Sequence, residues 1–511
     1  MKKTGFDNEK YLAEQSKAIL ERVKKFDHKL YLEFGGKLCF DYHAARVLPG
    51  YDPRAKLRLL KILRDKIEVI LCVYAEDIEM GRLCGDFGMP YDTSCLFMID
   101  DLKDWGLDVC SVVLTRFNNE PQAIRFKNRL QSKGIATYLH QVIPGYPQDV
   151  DRIISEEGLG SNQYIPTQKP IVIVAAPGPG SGKLATCLSQ MYHDHKKGIN
   201  SGFAKFETFP IWNLPLKHPV NVAYESATAD LRDFNLVDPF HLEAYKKEAI
   251  NYNRDVEAFP ILKKILERIV GRGQRRMMMY NSPTDMGVNR VSSGIIDDGV
   301  VQEAAKQEII RRYFRYHWEF MLGVQNKETV QRAKGLMEEL GLKQEDRPCV
   351  VPARRAAIQA KKKGKGHKGI FCGAAVELDN GKIVTGKNSP LLHAASAAIL
   401  NAVKVLAKIP DKIDLLPRAV INNIGALKKD TLGMKSESLD LEEILIALSI
   451  SATSNPAAEV GMKELGRLNG CQMHLTHLPS EGDEGGLRKL GINMTTDANP
   501  TTPGYFLRDE G

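Results

Sequence analysis

Five β-rich runs, several of them separated by helix-patterned segments, constrain the fold of this chain more than any other feature. The runs are Lys29–Phe34, Ile67–Tyr74, Val109–Thr115, Ala136–Ile143 and Pro170–Ala175. Apolar runs of this length that alternate with helices are typical of a mostly parallel sheet covered on both faces. With a helix at Asn8–Phe26 ahead of them, they predict an N-terminal α/β domain over residues 1–235.

The next part of the chain, residues 236–345, has a strongly helical pattern. Apolar residues recur at helical spacing in three segments, which are Phe240–Asn253, Pro260–Val270 and Val300–Phe320. Between the last two lies a stretch rich in Asn, Ser, Thr, Asp and Gly, residues 280–298, which predicts a polar loop. We therefore expect a helical domain that carries one long loop.

Residues 350–511 alternate again and predict a third domain, a three-layer α/β/α unit. Its expected elements are a hairpin (Ile370–Leu378 and Lys382–Val384), helices at His393–Ala407, Leu441–Ser449 and Pro456–Leu468, and strands at Arg418–Ile424 and Gln472–Leu475. A basic stretch near its start, Ala360–Gly369, predicts a linker or mobile loop. An anion-contacting arm is the alternative for that stretch.

The opening of this third domain resembles the cytidine-deaminase-like fold, with a hairpin followed by a helix that starts at His393. Zinc deaminases need His-x-Glu at that position and a later Pro-Cys-x-x-Cys. Here Ala395 stands in place of the glutamate, and no Pro-Cys-x-x-Cys follows. The resemblance therefore implies the fold without the zinc chemistry.

Composition limits the class of protein. The 511 residues are 43% apolar and 26% charged, which is the usual balance of a globular protein. The nine cysteines are an odd number, are spread along the chain and form no Cys-x-x-Cys pair, so reduced thiols are expected. With no apolar leader segment and no membrane-spanning run, the sequence predicts a cytoplasmic protein that does not bind membranes.

The charge is mild and points to small ligands. The formal net charge is +8, and acidic residues alternate with basic ones in most of the predicted helices. That pattern argues against nucleic acid as a partner and is compatible with an anionic small molecule. The sequence does not determine the oligomeric state, and a homo-oligomer is one of the assemblies that it allows.

The sharpest local feature is the P-loop-like segment 171–186, IVIVAAPGPGSGKLAT. A buried strand runs into a glycine-rich turn and then into a helix that begins near Lys183. In such a turn the backbone N–H groups, the helix N-terminus and a lysine converge on an anion. Residues 177–183 are therefore expected to bind phosphate, through Gly178, Gly180, Ser181, Gly182 and Lys183.

This segment departs from the Walker A pattern, which reads G-x-x-x-x-G-K-[ST]. Pro177 replaces the first glycine, and Leu184 follows the lysine where a magnesium-binding hydroxyl is normal, although Thr186 is near. Magnesium-dependent hydrolysis of a triphosphate is therefore in doubt. A tight strand–helix turn without a ligand is the alternative interpretation.

Two other segments supply candidate substrate-binding residues. Lys37 and Arg46 follow the first β-rich run, where ligands collect in parallel sheets. The alternative for that segment is a turn with solvated charges. Four further candidates come from the polar loop, which serves either the substrate or the cap of the following helix: Asn281, Thr284, Asp285 and Asn289. We expect Lys183, Lys37 and Asp285 to line one pocket.

No residue can be assigned a catalytic role from the sequence, and no metal site is expected. His474 and His477 are three residues apart, which points them to opposite faces of a strand, so their spacing is poor for joint metal ligation. Neither a Gly-x-Ser-x-Gly elbow nor a His-Glu-x-x-His helix occurs. A protease therefore has no motif in this chain.

Several segments together resemble a bacterial protein family of unknown function over nearly the whole chain. They are FDNEKYLAEQS, LYLEFGGKL, HAARVLPG, APGPGSGK, SPTDMGVN and HAASAAILNA. The resemblance implies a multi-domain α/β architecture with a deaminase-like C-terminal fold and no established activity. Some members of that family carry the label ATP-dependent peptidase, a label that finds no support in the motifs above.

These observations lead to two functional hypotheses. The first is an enzyme that acts on a phosphorylated small molecule, with a nucleotide as the candidate cofactor or ligand. The second is a non-catalytic ligand-binding or regulatory protein that uses the same loop. Magnesium-dependent turnover distinguishes them, and the missing hydroxyl after Lys183 favours the second.

Overall fold

The computed structural model describes residues 3–26, 29–84, 88–271 and 280–501. Two compact units are present, one spanning Thr4–Ala305 and the other beginning at Lys306. The sequence-based boundaries at 235 and 345 stay a prediction. Within the described parts of the chain, no helix is both long and apolar enough to cross a bilayer.

The N-terminal unit is built on a six-stranded parallel sheet of order β6-β5-β2-β7-β1-β8. Its strands in chain order are β1 (Lys29–Phe34), β2 (Ile67–Tyr74), β3 (Leu83–Cys84), β4 (Met89–Pro90), β5 (Val109–Thr115), β6 (Thr137–Leu139), β7 (Ile171–Ala175), β8 (Ser201–Phe206), β9 (Asn235–Val237) and β10 (Ile250–Tyr252). The pairs β3–β4 and β9–β10 are antiparallel and stand apart from this sheet. The mostly parallel sheet that the β-rich runs predicted is thus confirmed, with the fourth run reduced to three residues.

Helices accompany most of these strands. They are α1 (Asn8–Val23), α2 (Tyr42–Val47), α3 (Ala55–Ile62), α4 (Ala75–Glu79), α5 (Tyr91–Asp104), α6 (Pro121–Ser132), α7 (Val150–Ile153), α8 (Lys183–Lys196), α9 (Pro219–Ala227), α10 (Pro239–Tyr245), α11 (Asn253–Val270), α12 (Pro283–Met286) and α13 (Asp298–Met321). Every residue of β7 is at most 1% exposed. Because side chains alternate between the two faces of a strand, both faces of the sheet are covered.

One predicted helix of this region is partly wrong. The segment Phe240–Asn253 is helical only to the end of α10, because Lys246 adopts a left-handed conformation with φ of 55° that ends the helix. The chain then forms β10, which pairs with β9. Pairing with a strand distant in sequence thus replaces the local helical pattern.

The order of the strands creates a crevice at the carboxyl end of β7. The chain leaves β2 towards β5 on one side of the sheet and leaves β7 towards β8 on the other. Adjacent strands whose connections run in opposite directions form a topological switch point, where open α/β sheets bind ligands. The glycine-rich loop 177–183 leaves β7 at this point.

The second unit contains a four-stranded sheet of order β12-β11-β13-β14. Its strands are β11 (Gly373–Glu377), β12 (Ile383–Lys387), β13 (Gln472–His477) and β14 (Asn493–Asn499), and its helices after α13 are α14 (Lys327–Glu339), α15 (Val350–Lys362), α16 (Ala394–Leu406), α17 (Arg418–Ala426), α18 (Leu441–Ser451), α19 (Pro456–Lys463) and α20 (Glu481–Lys489). On one face Ala375 packs with Ala353 of α15. On the other, Ala374 and Val376 share a core with α16, so helices cover both faces.

The strand predicted at Arg418–Ile424 is wrong, because this segment forms α17 and runs on into one π-helical turn at Leu427–Thr431. Pro417 precedes the first helical residue, and Ile421 and Gly425 lie four apart on the buried side. A short apolar run is ambiguous between strand and buried helix, and here the packing favours the helix. The basic stretch 360–369 connects α15 to β11, and its first three residues belong to α15.

Candidate functional site

The glycine-rich loop is tightly packed where it meets the sheet. A Cβ atom on Gly178 would lie 2.1 Å from the ring of Tyr91, and one on Gly182 would lie 2.9 Å from Thr115. Gly182 also has a φ of 79° and is the residue before α8. Glycine is therefore required at both positions for the loop to adopt this shape.

The two hydroxyls of the segment are used inside it. Ser181 Oγ donates to the carbonyl of Gly178 at 2.6 Å, and Thr186 Oγ1 donates to the carbonyl of Gly182 at 3.1 Å. Among the described residues, no hydrogen bond reaches the main-chain N–H groups of Gly180, Gly182 and Lys183. The loop is thus held by its carbonyls and hydroxyls and leaves its amides open, as an anion site requires.

The turn after β1 lies next to this loop. Since β1 and β7 pair in parallel, the residues that follow them emerge side by side. Lys37 Nζ reaches the carbonyl of Pro177 at 3.4 Å. The turn itself is fixed by buried Lys56, which donates to the carbonyls of Gly35 and Lys37 and pairs with Asp41 at 3.0 Å.

A cavity of the N-terminal unit lies at the carboxyl end of β8, with a volume of about 240 Å³. Its charged side chains are Arg22, Lys205, Glu207, Asp255, Asp285 and Arg290. Its other polar side chains are His241, Asn251, Thr284 and Asn289, and its apolar faces come from Pro210, Trp212, Ile250 and Pro283. The chain around Gly287 closes one side of the cavity through a short parallel bridge to Lys205.

Lys205 is the centre of a buried charge cluster in this cavity. Its ammonium donates to both carboxylate oxygens of Asp255 at 2.7 Å, to Glu207 at 3.1 Å and to the hydroxyl of Tyr252. Tyr252 in turn donates to Glu207 Oε1 at 2.9 Å. Three side chains, those of Asp255, Glu207 and Tyr252, are thereby held around one ammonium. This arrangement orients both carboxyl groups.

More carboxyl groups than cations surround this ammonium. Burial is the largest influence on Glu207, and with the Asp255 and Glu33 carboxylates it outweighs Lys205 and raises the pKa of Glu207 to about 7. Burial acts to lower the pKa of Lys205, but Asp255, Glu207 and Glu33 outweigh it, so the pKa of Lys205 is raised. Glu207 therefore gains or loses its proton near neutral pH while Lys205 stays charged, which suits proton transfer.

Most side chains of the polar loop serve its own fold. Ser282 caps α12 by accepting from the amide of Asp285, and Thr284 Oγ1 donates to Asp238 at 2.7 Å. Asn289 donates to the carbonyl of Thr208 at 3.0 Å and accepts from the amide of Val291. Three residues of this loop also line the wall of the cavity, namely Thr284, Asp285 and Asn289.

The remaining candidates lie elsewhere. Asn281 Nδ2 donates to the hydroxyl of Tyr245, and Arg46 lies half-buried on α2. Neither Lys37 nor Lys183 belongs to the wall of the cavity that Asp285 lines. A pocket shared by these three stays a prediction.

Sequence reasoning missed the residues that define this cavity. Lys205, Glu207 and Asp255 were not among the candidates, because the edge strand β8 was not predicted from SGFAKF, which contains a glycine and a lysine. A signal was present in the alternation Lys205-Phe206-Glu207, which places two charges on one face at the end of an apolar strand.

In the C-terminal unit, His393 pairs with a carboxylate. Its Nδ1 lies 2.7 Å from Asp483, which also accepts from the amide of Leu441 and the hydroxyl of Ser480. Burial acts to lower the pKa of His393, but Asp483 and Asp440 outweigh it and raise the pKa. His474 contacts Thr495 and Asp497, whereas His477 contacts Thr476. In residues 3–26, 29–84, 88–271 and 280–501, no three His, Cys, Asp or Glu side chains form a group that could hold a metal.

Comparisons with known proteins cover nearly the whole chain. Residues 4–341 match the model described as Domain of unknown function DUF1846, N-terminal, and residues 345–505 match its C-terminal counterpart. A "UPF0371 protein" of Clostridium tetani is 54% identical over 495 residues, 97% of each chain. One of Clostridium botulinum (strain ATCC 19397 / Type A) is 56% identical over 494 residues, 96% of this chain and 97% of its own. The resemblance to a bacterial family of unknown function is therefore confirmed.

Proposed function

The chain belongs to the DUF1846 family, and we propose that its N-terminal unit binds a phosphorylated small molecule, such as a nucleotide, through Gly178, Gly180, Ser181, Gly182 and Lys183. The phosphate lies on the N-terminus of α8, and Lys183 supplies a positive charge. The rest of the ligand extends along the carboxyl edge of the sheet.

The observation that carries this proposal is the set of open amides at the start of α8. They belong to a loop whose glycines are required by Tyr91 and Thr115, and that loop leaves the sheet at its switch point. Every helix N-terminus leaves N–H groups without intrahelical partners, and at the switch point of the sheet these groups face the place where open α/β sheets bind ligands. Lys37, beside Pro177, adds a second cation for the same anion.

The details of the loop favour binding without a triphosphatase mechanism. Leu184 occupies the place of the magnesium-binding hydroxyl, and the hydroxyl of Thr186 donates its hydrogen bond to the carbonyl of Gly182. This supports the non-catalytic, regulatory alternative. Glu207 supports an enzyme instead, because its pKa is near neutrality and it lines a cavity two strands away from β7. Neither the loop nor Glu207 supports an ATP-dependent peptidase.

Replacement of Lys183 with alanine is expected to weaken phosphate binding by about tenfold or more, because a charge-assisted contact contributes roughly 1.5–3 kcal/mol. Binding of inorganic phosphate, AMP and a sugar phosphate is measured by calorimetry for the wild type and the variant. Lys133→Ala, at an exposed lysine after α6, is the matched control. Unchanged affinity in Lys183→Ala would remove the loop from the proposed site.

For the second unit, we propose a cytidine-deaminase-like fold that lacks zinc chemistry. The support is the antiparallel β11–β12 hairpin followed by α16, which begins directly after His393. Ala395 is buried where deaminases place a glutamate, and Asp483 occupies Nδ1 of His393. The small residues at the start of α16 pack against β12 and serve the fold.

We expect purified protein to contain far less than one equivalent of zinc per chain. The physical reason is that His393 is engaged with Asp483 and has no cysteine partners of the deaminase pattern. Metal content is measured by inductively coupled plasma mass spectrometry before and after incubation with zinc and desalting. One equivalent retained by the wild type and lost in His393→Ala would contradict the proposal.

A further inference from the structure

At the cavity at the end of β8, one carboxyl oxygen of Glu207 has no hydrogen-bond partner among the described residues. Glu207 Oε1 accepts from Lys205 and Tyr252, whereas no hydrogen bond reaches Oε2 within the described residues. The side chain is 22% exposed and lines the cavity. Gly35 makes room for it, since a Cβ there would lie 2.5 Å from Glu207 Cγ. A ligand hydroxyl is the natural partner for such an oxygen, which donates when protonated and accepts when ionised.

The cavity also holds two guanidinium groups that lack carboxylate partners in the part of the chain that the structure describes. Arg22 donates to the carbonyls of Met286 and Gly287 and to Tyr280, and Arg290 donates to the carbonyl of Asn289. Carbonyl oxygens satisfy donors but do not neutralise charge. Lys205, in contrast, is paired with carboxylates on two sides. An anionic substituent on a ligand is therefore favoured beside the arginines.

The apolar part of the wall suits a ring with exposed C–H groups. Trp212 is held in place by a hydrogen bond from Nε1 to the carbonyl of Asn289 at 3.3 Å, and Ile250 and two prolines add apolar surface. The volume of about 240 Å³ is smaller than the space that drug-sized ligands need. One aromatic face, planar polar side chains around it and this volume match a single sugar ring.

From these three features we propose that the cavity binds a polyhydroxylated anion of monosaccharide size, either a sugar phosphate or a sugar acid. The anionic group lies against Arg22 and Arg290, the ring lies on Trp212, and Glu207 Oε2 exchanges a proton or a hydrogen bond with a ring hydroxyl. Lys205 and Asp255 are positioning residues, because they act on the ligand through Glu207. This site needs no contribution from the glycine-rich loop.

Binding is measured through Trp212 itself. The chain has three tryptophans, so Trp105→Phe/Trp318→Phe leaves Trp212 as the only one. The probes are a panel of pentose and hexose phosphates, the matching sugar acids, the neutral sugars and inorganic phosphate. We expect saturable changes in Trp212 fluorescence with at least one phosphate or acid, and binding of the neutral sugars at least about tenfold weaker.

Substitutions separate this site from the loop. Arg290→Met is expected to weaken binding of the sugar anion by about tenfold or more, since it removes an exposed cation that pairs with no carboxylate in the part of the chain that the structure describes. Lys183→Ala is expected to leave the same binding unchanged. If Lys183→Ala abolishes the signal and Arg290→Met does not, the ligand lies on the loop and the cavity proposal is overturned while the phosphate proposal stands.

The pH dependence tests Glu207. The groups that face it are Lys205, Asp255, Tyr252, Glu33 and Tyr224. When Glu207 is neutral, the cations that line the cavity outnumber the carboxylates by one. We therefore expect the affinity for a sugar acid to fall as pH rises through the pKa of Glu207. Glu207→Gln, which keeps the shape and stays neutral, is expected to abolish this fall while retaining the affinity seen at low pH.

Further controls complete the test. Glu257→Gln, at an exposed residue of α11 outside the cavity, is expected to keep the wild-type pH dependence. Gly35→Ala, which displaces the Glu207 side chain, is expected to change that dependence without removing the arginines. A wild type that binds no member of the panel, or a Glu207→Gln variant that keeps the full pH dependence, would overturn the proposal.

Discussion

Replacement of Lys56 with methionine is expected to lower the free energy of unfolding of the N-terminal unit by about 3–5 kcal/mol. The Lys56 side chain is 1% exposed and pairs with Asp41, which is itself buried. Without the ammonium, the Asp41 carboxylate is left in a low-dielectric site, and the carbonyls of Gly35 and Lys37 lose their donor. The turn after β1 is then no longer held against the loop at Pro177.

The effect of this substitution is expected to depend on pH. Burial acts to raise the pKa of Asp41, but Lys56, the amide of Ala44 and His43 outweigh it, so its pKa lies below the usual value. A carboxyl with a lowered pKa stabilises the fold above its unfolded pKa of about 3.9, and this contribution is lost as pH falls through the folded pKa. The difference in the free energy of unfolding between the wild type and Lys56→Met should therefore become smaller below about pH 4.

Urea titrations followed by tryptophan fluorescence measure this loss. Trp318→Phe removes the tryptophan outside the N-terminal unit, so the signal reports Trp105 and Trp212. Lys66→Met, at an exposed lysine just before β2, is the matched control and should change stability little. In a double-mutant cycle with Asp41→Asn, the summed losses of stability of the two single variants should exceed the loss of stability of the double variant. Additive losses would show that the pair is not coupled.

Replacement of Gly386 with alanine is expected to destabilise the C-terminal unit by about 3 kcal/mol, at the upper end of the usual cost of overpacking. A Cβ atom on this residue of β12 would lie 2.2 Å from the amide nitrogen of Ala398 and 2.5 Å from the carbonyl of Ala394. Both atoms belong to the backbone of α16, so no change of rotamer relieves the contact. The helix must move off the sheet, and the small-residue packing behind His393 is disturbed.

Thermal unfolding followed by circular dichroism measures the effect of Gly386→Ala. Gly466 provides the control, because a Cβ there meets no atom within 4 Å and no left-handed conformation is involved. Gly466→Ala is expected to leave the melting temperature unchanged or slightly raised. A Gly386→Ala protein that melts with the wild type would mean that α16 and β12 are further apart than described.

Local sequence signals accounted for much of the fold. The runs that became β1, β2, β5 and β7 are short and largely apolar, which is what strands of a parallel sheet need when both faces are covered. The strand, glycine-rich turn and helix at 171–186 are likewise predicted by residues that are adjacent in the sequence. Gly182 has the positive φ that such a turn requires. These elements were predictable because each depends on interactions within about ten residues of chain.

The deviations occur where partners distant in sequence decide the outcome. β10 forms because β9 is there to pair with it, and α17 forms where an apolar run alone is ambiguous. β8 carries a glycine and a lysine, yet pairing with all six residues of β1 makes it a strand. None of these three outcomes is visible from the neighbouring residues in the chain.

The candidate site divides in the same way. The loop at 177–183 and the polar residues Thr284, Asp285 and Asn289 were identified from sequence, because glycine-rich turns and polar loops are local patterns. Glu207 was not, because the pKa of a glutamate is raised only through its surroundings. Lys205 is two residues away, but Glu33 comes from β1, and Tyr252 and Asp255 come from the junction of β10 and α11. Sequence alone identified five of the six strands of the parallel sheet, whereas the tertiary structure added β8 and decided the charge environment of Glu207, since strand pairing, burial and electrostatic interactions depend on distance in space.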